Sequence, residues 1–226
     1  WPDMAATPKR RKGGPEIVPV TADDVPALVE PCRDCAFWER GPGLVAGTAS
    51  TVSRDKAAWV RRVEAEWGTP GWLVRVDGQP AGHLLIAPAH LAPRSLAFPT
   101  SPVADDAILL LAVRVDPRYA GQGLGRRLVQ TAAREVLAHD GRAIEAFGTT
   151  RGDQCLTPVD FLTAVGFYVV REHAAYPRLR LDLRTALAWR EDVEHALDRI
   201  LAPVRRLGAG NPVGTANNEA PGAGRP

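Results

Sequence analysis

Long apolar runs are missing from this chain. Nowhere do the roughly 18 consecutive apolar residues needed to cross a bilayer occur, and the first residues lack the apolar block of a secretory signal. A soluble cytoplasmic protein with no membrane partner is therefore expected. Cysteine is scarce as well. Cys32, Cys35 and Cys155 are an odd number and too few to staple 226 residues, which fits a reducing compartment and leaves the core to hold itself. An excess of one charge is also lacking. The formal net charge is +2, and the one tight basic cluster, Lys9 to Lys12, lies among Pro8, Gly13, Gly14 and Pro15, as a solvated arm would. No nucleic-acid partner follows from it, and no internal repeat is present.

What is there suffices for one core, at 45% hydrophobic residues. Residues 1–15 read as a disordered basic arm and 208–226 as a disordered tail without a large side chain to anchor it. Between them the pattern predicts a strand over 16–20, then a helix over 22–29 capped by Thr21 and Asp24 and stopped by Pro31. A glycine-rich loop precedes a helix over 53–67 with Trp59, Val63 and Trp67 on one face. A hairpin over 72–76 and 81–87 turns at Asp77-Gly78. After a proline-rich loop over 91–102, residues 107–115 form an almost unbroken apolar strand of the kind covered on both faces. Leu124, Leu128, Ala132 and Val136 mark the stripe of a helix. A strand at 143–147, a short helix at 158–165 ended by Gly166, and strands at 167–172 and 179–183 complete a mixed α and β domain over 16–184. Residues 185–207 read as an amphipathic helix with Val193, Leu197, Leu201 and Val204 on one side. Its stripe must pack on its own domain or on a second subunit, so a homodimer is one of two expectations.

The most informative segment joins the apolar strand to the striped helix through Gly121, Gly123 and Gly125. A glycine turn at a helix start leaves backbone N–H groups bare, where they can cradle a phosphate. A Walker loop would need Lys and then Ser or Thr after the last glycine, and Arg126 and Arg127 stand there instead. The dinucleotide fingerprint has another spacing and belongs near the first strand. A phosphorylated cofactor of a different kind is implied.

The run Ala120-Gly121-Gln122-Gly123-Leu124-Gly125, after a strand and Asp116-Pro117, resembles the signature of the Gcn5-related N-acetyltransferases (GNAT). Phe161-Leu162-Thr163-Ala164-Val165-Gly166-Phe167 is similar to a second segment of that family. The resemblance covers about residues 16–184 and implies the GNAT acyl-CoA N-acyltransferase fold: a mixed, mostly antiparallel central sheet flanked by helices. It implies acetyl-coenzyme A as cosubstrate and no metal. The pyrophosphate would lie on Gln122, Gly123, Leu124, Gly125 and Arg126, and the pantetheine arm along Val113 and Val115. The implied reaction is direct acetyl transfer to a primary amine of a protein lysine, an N-terminus or a small molecule, with a strand N–H near Val115 polarising the carbonyl.

Two positions depart from the family pattern. Ala120 replaces a frequent Arg or Gln, and Leu162 replaces a tyrosine held to protonate the leaving thiolate. The acid would then be Tyr168, Tyr119 or water, and the base Glu145, His83, Asp105 or Asp106. The missing tyrosine also motivates an alternative, a non-catalytic acyl-CoA sensor or assembly protein. Finally, Cys32-Arg33-Asp34-Cys35-Ala36-Phe37-Trp38-Glu39 is open to four readings: core packing, an acceptor pocket with Trp38 as wall and Glu39 as cation anchor, an incomplete metal site, or a redox pair.

Overall fold

The computed structural model describes residues 14–41, 49–153 and 155–183. The expected basic arm over 1–13, the helix over 185–207 and the tail over 208–226 lie outside the described residues. Strands β1 (Glu16–Pro19), β2 (Gly71–Val76), β3 (Gln79–Ala87), β4 (Ala107–Val115), β5 (Ala143–Thr149), β6 (Thr157–Pro158), β7 (Tyr168–Arg171) and β8 (Arg178–Asp182) form one sheet. Its order is β1-β2-β3-β4-β5-β8-β7, with β6 on β5. The pairs of β5 with β4 and with β6 are parallel, and all the others are antiparallel. Helices α1 (Ala49–Glu66), α2 (Leu124–Ala138) and α3 (Val159–Ala164) complete the regular elements.

Local chemistry accounts for most of these elements. Asp77 and Gly78 both have positive φ, 51° and 80°, as a two-residue hairpin turn of matching twist requires. Gly166, at φ 106°, ends α3. The Asp24 carboxylate accepts from the backbone N–H and the hydroxyl of Thr21 at 3.1 and 2.8 Å. The segment behind this cap is nevertheless a 3-10 helix over Ala22–Ala27 rather than an α-helix to 29. Pro26 sits inside it and has no N–H to give to the carbonyl of Ala22.

The sheet separates two apolar cores. Under α2, Leu124, Leu128, Ala132 and Val136 meet Val74, Leu84, Ile86, Leu110 and Val113, so the whole predicted stripe is buried. Under α1, Trp59, Val60 and Val63 meet Leu73, Leu85, Leu109 and Leu111, with Trp38 and Phe147. Along β4 the side chains facing α2 change parity, from Ile108 and Leu110 to Val113 and Val115. The cause is a bulge: Leu85 pairs with Ala112 and Ile86 with Leu110, so Leu111 is the extra residue. An unbroken apolar run such as 107–113 carries no mark of that switch.

Candidate active site

Strands β4 and β5 pair only at Ala107, Ile108 and Leu109 with Ala143, Ile144 and Glu145. Beyond that they part, and the edge of β5 that β4 leaves is taken by β6, through Gly148 with Thr157. In the ladder with β3, Asp116 donates to the carbonyl of Ala81 at 2.9 Å. Alternation then turns the backbone N–H and C=O of Val113 and Val115 away from β3 and into the gap. Among the described residues these are edge groups of a central strand with no ladder partner on that side.

The glycine turn lies at the mouth of this gap, directly after β4. Gly121 and Gly123 have φ of 75° and 72°, and among the described residues nothing lies within 4 Å of where a Cβ would stand on either. Their role is conformational, with open space above the turn. Gly125 is different: a Cβ there would meet Cε2 of Phe161 at 2.8 Å, so this glycine lets α2 and α3 approach. The first bond of α2 runs from Arg127 N–H to the carbonyl of Gly123, at 3.1 Å. The amides of Leu124, Gly125 and Arg126 therefore precede any helical acceptor and carry the positive end of the helix dipole. The Arg126 guanidinium is exposed and reaches the carbonyl of Ala164 at 2.6 Å, at the end of α3. Space, bare amides and a cation together fit a pyrophosphate.

On the α1 side of the gap is a cleft of about 310 Å³, lined by Phe37, Arg94, Phe98, Asp153, Cys155 and Tyr176 among others. Phe98 stacks on Phe147 at 4.3 Å and on Trp38 at 5.6 Å between centroids, and Arg94 lies 4.9 Å over Phe37. Leu156 also lines the cleft, and its carbonyl accepts from Arg114 of β4 at 3.4 Å. Arg114 stands between the two valines that face the gap, so the cleft wall and the gap share one strand.

Several expected roles are corrected by the geometry. His83 is wholly buried, and its Nδ1 already accepts the N–H of Val29 at 3.1 Å. Burial, aided by the charges of Lys56 and Arg114, pushes its pKa down to about 3, so its basic nitrogen is not free for an acceptor. Glu145 is 2% exposed and bridges Arg178 and Arg180 while accepting the N–H of Ala104. That is a structural anion locking β5 to β8, not an available base. Asp106 is paired with Arg180 at 2.9 Å, which holds its carboxyl below the usual range. The Tyr168 hydroxyl donates to Asp182 near the far edge of the sheet, and that bond raises its pKa, so it is no ready proton donor. Leu162 is fully buried in the core under α2 and is not part of the lining of the aromatic cleft. Glu39 is not a cation anchor for a ligand, because Lys56 already pairs with it in the interior, at 3% and 4% side-chain exposure. Trp38, 5% exposed, backs the cleft wall and does not line it.

The sequence reading missed Phe98, Tyr176, Arg94 and Asp153. They come from three separate segments, and none carries a local pattern that joins it to the others. Among the described residues no group of three or more His, Cys, Asp or Glu is placed to hold a metal ion, and no helix is long and apolar enough to cross a membrane.

A sheet parted at its centre beside a glycine turn at a helix start is the architecture of an acyl-coenzyme A-dependent acyltransferase. The Acetyltransferase (GNAT) family matches residues 35–155, and the chain belongs to that family. It is an acetyltransferase that uses acetyl-coenzyme A as cosubstrate. Among solved structures it is similar to the PaiA N-acetyltransferase of Thermoplasma acidophilum in complex with coenzyme A. The TM-score is 0.50 at 12% identity, over 75% of this chain and 99% of that one. It is likewise similar to an N-acetyltransferase of Staphylococcus aureus Mu50, with a TM-score of 0.51 at 15% identity, over 76% and 99%. At such identities the likeness shows the fold. Comparison with curated proteins returns no match.

Proposed function

We propose that the chain transfers acetyl from coenzyme A to a primary amine with an apolar or aromatic body, which enters through the cleft on the α1 side. The observation that carries this reading is the Arg114 contact with Leu156, which joins the aromatic cleft to the strand whose backbone faces the gap. The amides of Gln122 to Arg126 hold the pyrophosphate, and the edges of Val113 and Val115 pair with the pantetheine arm. The amine lone pair attacks the thioester carbonyl, the C–N bond forms, the C–S bond breaks, and coenzyme A leaves as its thiolate. The amine's surplus proton passes to water and finally to the thiolate. The N–H of Val115 meets the negative charge that develops on the carbonyl oxygen. Asp153, exposed at the cleft and bonded to Thr149 at 3.1 Å, draws the ammonium form of the acceptor in. The ammonium gives one proton to water before its nitrogen attacks, so no side-chain base is required.

Calorimetric titration with acetyl-coenzyme A, followed by thiol release against aromatic amines, polyamines and lysine peptides, tests both halves. Binding with release on ring-bearing amines, lost in Asp153→Asn through a higher KM for the amine, is expected. Binding without release on any amine would return the chain to the sensor reading.

A further inference from the structure

Cys35 and Cys155 meet although 120 positions separate them, and Cys32 lies close enough to interact with both. The sulfurs of Cys35 and Cys155 lie 3.3 Å apart, and both residues are partly exposed. Cys155 lines the aromatic cleft, and Cys35 lines a shallow surface depression with Glu30, Pro31 and Asp34. Solvent thus reaches the pair from two sides. Cys32, the sequence neighbour in the Cys-x-x-Cys spacing, is buried, and burial raises its pKa. We propose that Cys35 and Cys155 are a redox modification site that closes to an intramolecular disulfide under a hydroperoxide oxidant.

The sulfurs need only close from 3.3 Å to the about 2.05 Å of a covalent bond. The hydrogen bond between the two sulfurs favours a Cys35 thiolate, which can accept from the Cys155 thiol, and this lowers the Cys35 pKa, with Lys56 adding in the same direction. Cys35 is therefore the attacking sulfur. Its thiolate takes the terminal oxygen of the peroxide: an S–O bond forms, the O–O bond breaks, and the departing hydroxide takes up the proton that Cys35 lost on ionising and leaves as water. The Cys155 sulfur then attacks the sulfenyl sulfur of Cys35. The S–S bond forms, the S–O bond breaks, and the second oxygen departs as water with the Cys155 proton. Two thiols lose two electrons and the peroxide gains them. A small dithiol reverses the change by exchange.

The bridge ties the segment before α1 to the segment that carries Leu156, which is the wall of the cleft. The test is independent of catalysis. The full chain is treated with hydrogen peroxide, its free thiols are counted in denaturant, and its cross-linked peptides are mapped by mass before and after dithiothreitol. Two of the three thiols should vanish, with a dithiol-reversible cross-link joining the peptides of Cys35 and Cys155. Cys32→Ser should behave as the parent, while Cys35→Ser and Cys155→Ser, folded by circular dichroism, should form no internal cross-link. A bridge that maps to Cys32 with Cys35, cross-links only between chains, or three thiols surviving the peroxide would each overturn the assignment.

Discussion

The two faces of the sheet are built from the same strands and solve different problems. Under α2 the interior is almost wholly hydrocarbon, and the one functional feature there, the glycine turn, sits at the surface with bare amides. Under α1 the apolar core of Trp38, Trp59 and Phe147 surrounds buried polar groups: the Lys56–Glu39 pair, His83 and, beside them, Arg114 and Cys32. One Glu39 oxygen, the Trp38 N–H and His83 Nε2 have no hydrogen-bond partner among the described residues. Unpaired polar atoms in an interior cost stability and are found where a molecule does chemistry or admits a ligand. The α2 face is thus cheap to build, and the α1 face carries the unpaired polar atoms.

The sharpest way to break this contrast is at the buried ion pair. Lys56→Met leaves Glu39 charged and alone in the interior, and should cost about 3–5 kcal/mol in urea unfolding, whereas the double change with Glu39→Gln recovers most of it. A loss below about 1 kcal/mol, as for exposed pairs, would erase the difference between the faces.

On the α2 face the vulnerable property is space. Gly125→Ala drives a methyl into Phe161, where 2.8 Å is available, and should cost about 1–3 kcal/mol, relieved by Phe161→Leu in the same chain. Leu162→Tyr should destabilise by a similar amount, because the larger side chain must fit a fully buried position; faster acetyl transfer in a stable Leu162→Tyr protein would contradict its placement.

The third test reads the α1 face through pH. The folded His83 pKa of about 3 lies below the 6.5 of the free side chain, so on acidification the unfolded chain takes up the proton first. Its stabilising contribution is whole above pH 6.5 and drains as pH falls toward 3. Between pH 7.5 and 5 the loss should be about 2 kcal/mol. His83→Asn should flatten that slope whatever it does to the absolute stability.

The smallest effect belongs to the turn. Gly123→Asn, a residue that tolerates positive φ, should cost under about 1 kcal/mol and keep coenzyme A affinity near that of the parent, since open space surrounds the position. Gly123→Val should lose affinity in calorimetry by distorting the amides. Equal affinity for both variants would mean that the left-handed backbone is not what presents them.

Legibility in the sequence follows how local each cause is. The α2 stripe, the Asp77-Gly78 turn, the Gly166 cap and the glycine turn each express a rule that acts within a few residues, and all stand where the pattern puts them. The segment behind Thr21 stays a 3-10 helix because of Pro26, a cause that is also local. The candidate bases His83 and Glu145 and the candidate acid Tyr168 are a different case. They are ionisable residues near the right strands, and the partners that occupy them, Val29, Arg178, Arg180 and Asp182, come from distant segments.

By itself the sequence determined the family, the strand-turn-helix whose bare amides suit a phosphate, and the helix face that covers the sheet, because spacing, φ preference and period are properties of neighbours along a chain. Only the tertiary structure decided which ionisable groups are already paired, where the aromatic cleft opens, and that Cys35 faces Cys155 rather than Cys32. Pairing, burial and access are set by side chains that meet across the sheet and its loops, and no local rule records those meetings.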